Sequence, residues 1–338
     1  MCSSDLESLE HVAARLKHPT VHDFLTAHSE VKVPLQAASA AINDQAPKLP
    51  HYNWDGPVLP PVPGLQRKLT RAMLDTDREK YLQEMTISDP CQAVRVRSSG
   101  GPGAGAWLLP PTHPKHKMTS EDFALCLRRR LGVPWASNPW GRPVRRQCAH
   151  KPVRSLNLCG LALDDMGLHA TTCHKGGNNM RRHDAVVRFL HEHARDHLCL
   201  QTLLEQHVVP STADHDADRI DIIINVAGRD THIDVAVVTP LTAQADLLKT
   251  RAKHDGHAAL QTANRKRNRY PNMAVLPFVL EDYGRPGKET IGLVRALAAA
   301  DASTTPSQAA THIWQCVQAI VQGHTAQAIR QAEQHRMT

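Results

Sequence analysis

The chain has 338 residues, of which 41% are hydrophobic and only 4% aromatic, and its formal net charge is +7. That length suffices for two domains or for one domain with a long extension, and no stretch approaches the roughly 18 apolar residues of a membrane span. A basic balance favours a polyanionic partner, because Lys and Arg displace the counterions of nucleic acid, while the 22 His are read mainly as surface residues.

The eight Cys (Cys2, Cys91, Cys126, Cys148, Cys159, Cys173, Cys199 and Cys316) form no dense framework. Met1-Cys-Ser-Ser-Asp5 leads into a polar helix and not an apolar signal segment. A reducing, intracellular setting is therefore expected, nuclear where chromosomal DNA is the target. In such a setting clustered Cys read as metal ligands before disulfides.

In chain order, residues 1–45 read as two short helices and residues 46–63 as a Pro-rich linker, with a helix following from Leu65 to about Gln83. Residues 1–90 thus form a helical N-terminal extension. Residues 91–147 are a connector with a breaker-rich loop at 98–114 and a helix at 120–131. Thr119 and Asp122 stand at capping-box spacing, Phe123, Leu127 and Leu131 share a face, and Gly132 and Pro134 end the helix. Arg128, Arg129 and Arg130 on it read as a solvated face or a phosphate-binding edge. A Cys/His segment occupies 148–177.

Residues 178–288 open with a helix from Asn179 to Leu198, in which Val186, Val187, Leu190, Ala194 and Leu198 recur at helical spacing. A short strand is predicted at Thr202–Val209. The β-branched runs Arg219–Val226 and Thr231–Val238 flank Gly228 and read as a hairpin. One long helix over Ala243–Asn268 and a strand over Ala274–Glu281 follow. Helices near Thr290–Ala300 and Ser307–Gln334 fill residues 289–338.

The hairpin carries the most chemistry. With its turn at Ala227-Gly228, Val226 faces Arg229, Asn225 faces Asp230, and Asp221 faces Asp234. Directly opposed side chains have Cβ atoms about 4.5–5.5 Å apart, and two like charges there destabilise a sheet. A hard cation such as Mg²⁺ or Mn²⁺ resolves the conflict by binding both carboxylates. A register shift, or one Asp turned to solvent, is the alternative. Glu205 can add a third carboxylate, and Lys266 can orient water or neutralise phosphate. The basic run Arg265, Lys266, Arg267 and Arg269 favours nucleic acid whether it is catalytic or merely a solvated face. Separately, Cys148, Cys159, His169 and Cys173 supply the three Cys and one His of a closed tetrahedral zinc site. His150 and His174 compete with Cys148 for the first ligand position. A zinc deaminase is disfavoured, because no His-x-Glu with a following Pro-Cys-x-x-Cys is present.

A set of residues runs in order: Cys159-Gly160, Gly167-x-His169, Cys173-x-x-Gly176-Gly177, Arg182-His183-Asp184, Arg219-x-Asp221, Asp234-Val-Ala-Val237, Lys266-x-x-Arg269-Tyr270 and Phe278-x-x-Glu281. Over about residues 90–300 the chain resembles the C-terminal region of site-specific non-LTR retrotransposon proteins, where a zinc knuckle precedes a restriction-like endonuclease of the PD-(D/E)XK class. The resemblance implies an α+β fold with an α/β-type nuclease core. A mixed β-sheet would be flanked by helices, restriction-endonuclease-like, with a small zinc knuckle and helical N- and C-terminal extensions. It implies Asp221 and Asp234 as ligands of Mg²⁺ or Mn²⁺, Lys266 as the catalytic lysine and Glu205 as an accessory acid. Zn²⁺ would be structural. Arg182 and His183 would sit on the helix beside the site and, with Arg265, Arg267, Arg269 and Tyr270, would contact DNA. The partners implied are DNA and the element's RNA.

The chain departs from the pattern at several places, among them the first zinc ligand, which is displaced, with Leu156 near its usual position. Ala236 stands where the standard class has its lysine, Arg269 replaces a second Lys, and Ile220 replaces a Pro before Asp221. No Tyr-x-Asp-Asp occurs, so no reverse transcriptase site is expected. The expected function is a metal-dependent DNA endonuclease. The alternative is a zinc-containing nucleic-acid-binding module that has lost cleavage.

Overall fold

A computed structural model describes residues 65–134, 147–152, 157–207, 219–226 and 228–333, together with Asp23, Thr26 and Ala27. The Pro-rich linker and nearly all of the segment predicted as two N-terminal helices lie outside the described residues. The chain divides into two compact units, Met1–Ile87 and Ser88–Thr338. The first contains nearly all of helix α1, Leu65–Ser88, which runs past the predicted end at Gln83. The second contains the sheet and both candidate sites.

The second unit begins with α2 (Pro90–Ser98) and α3 (Ser120–Leu131). Helix α3 starts and stops as its sequence dictates. The Thr119 hydroxyl accepts from the Asp122 N–H at 3.1 Å, and Gly132 closes the helix at φ 73°. Arg129 and Arg130 form neither a solvated face nor a phosphate edge, while the half-buried Arg128 donates to the Pro134 carbonyl. Arg129 is buried, ion-paired with Asp282 at 2.9 Å and stacked over the Tyr283 ring, and Arg130 donates to the Ala104 and Tyr283 carbonyls. Helices α4 (Leu168–Thr172) and α5 (Asn178–Glu192) follow, and α5 continues as a π-helical turn over His193–His197.

Strands β1 (Thr202–His207), β2 (Arg219–Val226), β3 (Arg229–Val238) and β4 (Val275–Glu281) form one mixed sheet in the order β1-β2-β3-β4. The first two pairings are antiparallel, and β3 pairs β4 in parallel. A parallel pairing needs a crossover. Here it is made by α6 (Ala245–Lys253) and α7 (His257–Arg269), not by the single long helix predicted. The break falls at Gly256, φ 69°, next to Asp255, whose carboxylate is paired with Arg97 and Arg285. Pro277 sits in β4, an edge strand, where its missing N–H removes no ladder bond.

Alternation along the strands divides the core. Ile222, Ile224, Ile233, Val235, Phe278 and Leu280 face a cluster built by α5, α8 (Lys288–Ala300) and α9 (Pro306–Glu333). On the opposite face Ala236, Val238 and Val279 pack against Ala259 and Ala263 of α7. The architecture is therefore α+β, with a four-stranded mixed sheet flanked by helices. Among the described residues no helix is long and apolar enough to cross a membrane.

Candidate functional site

The β2–β3 ladder runs from Val226↔Arg229 through Asn225↔Asp230 to Ile222↔Ile233. This is the register that sets Asp221 against Asp234. Gly228 supplies φ 76° at the turn, a left-handed conformation that glycine adopts without steric cost. Beyond Ile222 the strands part and a side chain takes over: Asp221 Oδ2 accepts from the Val235 N–H at 2.6 Å. Asp234 lies on the α7 face of the sheet, since Ile233 and Val235 turn to the other, while Asp221 is met from α5.

Lys266, near the end of α7, donates from Nζ to Asp234 Oδ1. His183, on α5, approaches Asp221 Oδ2 with Nε2 at 3.1 Å, and its Nδ1 is held by Asp184 at 3.0 Å. Asp221, Asp234 and Lys266 therefore converge, joined by His183. Asp234 is 4% exposed, and its Oδ2 has no hydrogen-bond partner among the described residues.

Burial pushes both carboxyls up. For Asp221 the His183 ring and the Val235 N–H outweigh burial, and the group is held below its ordinary range. For Asp234 burial, aided by the Asp221 charge, outweighs Lys266 and holds the group above it. Burial opposes the His183 imidazolium, but the flanking Asp221 and Asp184 carboxylates win and raise it to about 9. The two adjacent carboxylates, one with an orphaned buried oxygen, offer oxygen ligands, and the Lys266 ammonium already neutralises part of their charge.

The other sequence-predicted residues fall elsewhere. Glu205 lies at φ 49°, where the β1–β2 ladder skips the position opposite Asp221, and its exposed carboxylate pairs with Arg219 at 3.0 Å. Arg182 does not reach the surface. It is 4% exposed and donates to Thr325 and Asn179, so its guanidinium is spent inside the protein. Tyr270 is likewise buried, its hydroxyl donating to the Arg219 carbonyl at 2.8 Å, which leaves no face for a base. Arg265 and Arg269 are exposed, and Arg269 lies over the Tyr270 ring. Arg267 is held by Glu289 and Asn264. The resemblance puts His183 on the helix beside the site as a DNA contact; its bond to Asp221 is what the sequence does not indicate.

The second constellation is compact. The ligand atoms of Cys148, Cys159, His169 and Cys173 all lie within 4.8 Å of one another. The Cys148 and Cys173 sulfurs are 3.9 Å apart, and Cys159 Sγ is 3.4 Å from His169 Nε2. A tetrahedral Zn²⁺ with bonds of about 2.3 Å to S and 2.0–2.1 Å to N has edges of about 3.8 and 3.5 Å, so the four residues fit the ion. His150 is not among the four residues whose ligand atoms cluster, and its Nε2 bonds the Ala328 carbonyl and Asn178. His174 is exposed.

Local backbone explains the cluster. Cys148 N–H donates to the Leu161 carbonyl and Gly160 N–H to the Cys148 carbonyl, with Gly160 at φ 71° making the turn after Cys159. Asp164 accepts from the Met166, Leu168 and His169 N–H groups and so fixes the start of α4, which carries His169. Burial, with the neighbouring thiols, pushes the Cys148 thiol up to about 12. Binding a metal would therefore release its proton. The knuckle packs on the end of α9 through Ile329 and Ala332.

No protein-family model matches the chain, and no curated protein does.

Proposed function

We propose that the protein is a metal-dependent DNA endonuclease with a restriction-endonuclease-like core, in which Asp221 and Asp234 hold Mg²⁺ or Mn²⁺. The observation that carries this reading is the convergence of Asp221, Asp234 and Lys266 around the buried Oδ2 of Asp234, which has no hydrogen-bond partner among the described residues. When bound, such an ion supplies Lewis-acid stabilisation of charge on a phosphodiester. Lys266 adds a positive charge at the same place and can orient a phosphate oxygen. His183 holds Asp221 in position from the side of α5, and Asp184 fixes the ring that does so. The exposed Arg265 and Arg269 supply salt-sensitive contacts to the backbone of DNA or of the element's RNA. The zinc knuckle is structural.

A second reading, a nucleic-acid-binding module without cleavage, draws support from one feature. Each carboxylate already has an internal partner, Lys266 for Asp234 and His183 for Asp221, so the site satisfies much of its charge without an added ion. Nicking of supercoiled plasmid by the full chain with Mg²⁺ or Mn²⁺ separates the two. Endonuclease activity predicts nicking that Asp234→Asn abolishes. Equal cutting by wild type and Asp234→Asn overturns the site, and salt-dependent binding with no cutting selects the second reading.

A further inference from the structure

Three imidazoles and a thiol lie together away from both sites, where the π-helical turn after α5 meets α9. His193 and His197 stand four apart on that turn, and His312 and Cys316 stand four apart on α9. The His193 ring centroid is 5.0 Å from that of His197 and 6.0 Å from that of His312, and His197 and His312 are 6.5 Å apart. Imidazoles on one tetrahedral ion have centroids about 5 Å apart, from Zn–N bonds of about 2.0–2.1 Å. Closing the site therefore asks the His312 ring to move inward by about 1 Å.

For His197 and His312 the hydrogen bonds divide the ring nitrogens as a metal site requires. A ligating imidazole uses one nitrogen for the metal and the other for an orienting partner. His197 has its Nε2 held by the Asp301 carboxylate at 3.0 Å, and Asp301 is itself fixed by Ser303. His312 has its Nδ1 held by the Thr112 hydroxyl at 2.8 Å. His193 is 7% exposed, and its Nε2 has no hydrogen-bond partner among the described residues. A buried polar atom left in that state costs about 1–3 kcal/mol. Cys316 Sγ, also buried, lies 3.6 Å from His312 Nε2, close to the N–S edge of about 3.5 Å on a tetrahedral zinc.

We propose that His193 Nε2, His197 Nδ1, His312 Nε2 and Cys316 Sγ form a second transition-metal site, with Asp301 and Thr112 as its orienting partners. Imidazole and thiolate donors select Zn²⁺, or Co²⁺ and Ni²⁺ as surrogates, over the hard Mg²⁺ of the carboxylate pair. Binding displaces a proton from the Cys316 thiol to solvent. The ion would clamp the C-terminal end of the α5 segment to α9, and thereby stiffen the helix that carries His183. The proposal does not rest on the nuclease reading.

The test is metal stoichiometry on the full chain, stripped by chelator under reducing conditions, reloaded with Zn²⁺ and passed through a desalting column. The wild type is expected to retain two equivalents, and His312→Ala and His197→Ala one. Cys159→Ala is expected to lose the other equivalent. With Co²⁺ the His variants should keep the thiolate-to-metal absorption of the three-Cys knuckle and lose the weaker bands of the second site. His197, whose side chain is 46% exposed, keeps the test valid if the buried positions do not tolerate change. A wild type that retains a single equivalent, or His197→Ala and His312→Ala proteins that both retain two, overturns the proposal.

Discussion

Lys266 and Asp234 are ion-paired across the face of the sheet although 32 residues separate them in sequence. The lysine belongs to the crossover helix α7 and the acid to β3, so the crossover itself delivers the cation to the strand. Replacing Lys266 by Met leaves the buried Asp234 without its counter-charge. Breaking a buried pair costs about 3–5 kcal/mol, and a carboxyl already pushed towards its neutral form places this case at the low end. The Lys266→Met/Asp234→Asn double variant should regain part of that loss in urea unfolding. Strict additivity of the two single variants would mean that the pair contributes no coupling. On the endonuclease reading, Lys266→Met also lowers nicking by about 10²–10³-fold. DNA binding at fixed salt should change little, because the exposed Arg265 and Arg269 remain.

Arg129 and Asp282 form a more deeply buried pair, with side chains 2% and 0% exposed. Asp282 also accepts from the Thr239 hydroxyl, and its carbonyl accepts from Gln322 of α9. The pair thus ties α3 to the end of β4 and to α9. Asp282→Ala strands the Arg129 charge and should cost about 3–5 kcal/mol, read as a lowered urea midpoint with unchanged slope. An Arg129→Met/Asp282→Leu replacement removes both charges and should recover most of that loss. A double variant as unstable as Asp282→Ala would show that the side-chain bond to Thr239, and not charge pairing, holds the junction.

These two pairs also mark where sequence reading reached and where it stopped. The hairpin was legible because its information is local. Alternation fixes the buried face, Gly228 fixes the turn, and counting outward from the turn gives the Asp221/Asp234 register. Helix α3 was legible for the same reason, with Thr119 at one end and Gly132 at the other. Arg129 was misread because its partner is 153 residues away, and Arg182 because it bonds Thr325 143 residues away. Nothing near either in sequence distinguishes a buried guanidinium from a surface one. The break at Gly256 was missed because Asp255 is paired with Arg97 and Arg285, which only the folded chain brings near. Residue type points to the zinc ligands, but the choice of Cys148 over His150 rests on the folded chain, which brings Cys148 and not His150 into the cluster.

Glu281 gives a pH dependence with a definite sign. It is buried at the end of β4 and accepts from the Ala259 N–H at 3.2 Å, and burial holds its carboxyl above the ordinary glutamate range. An acid whose folded pKa is raised favours folding only while protonated. Its contribution is complete below the unfolded value of about 4.3 and is lost as pH rises through the folded one. Glu281→Gln keeps an oxygen for the Ala259 N–H and removes the charge. The variant should therefore be more stable than wild type at neutral pH, and the advantage should shrink to nothing near pH ~4. Urea midpoints of the two proteins across that range check it. An advantage that persists unchanged at low pH would trace to packing and not to ionisation.

The Cys/His cluster makes the last prediction, because it and the end of α9 share one small core. Cys148, Ala170 and Cys173 pack with Ile329 and Ala332, and the Ala149 N–H donates to the Ala332 carbonyl at 2.8 Å. Holding four ligand atoms within 4.8 Å without an ion leaves three thiols crowded, one of them raised to about 12. Binding free energy at such a site is folding free energy, so removing the ion should loosen the knuckle and release the last turns of α9 with it. Cys173→Ser should lose one zinc equivalent and raise amide exchange in residues 326–333 while leaving β2 and β3 protected. Because the thiols must shed protons to bind, zinc affinity should fall steeply as the pH is lowered. If exchange in α9 is unchanged after the knuckle zinc is lost, the knuckle is held by its apolar contacts, and the ion contributes little beyond its own ligands.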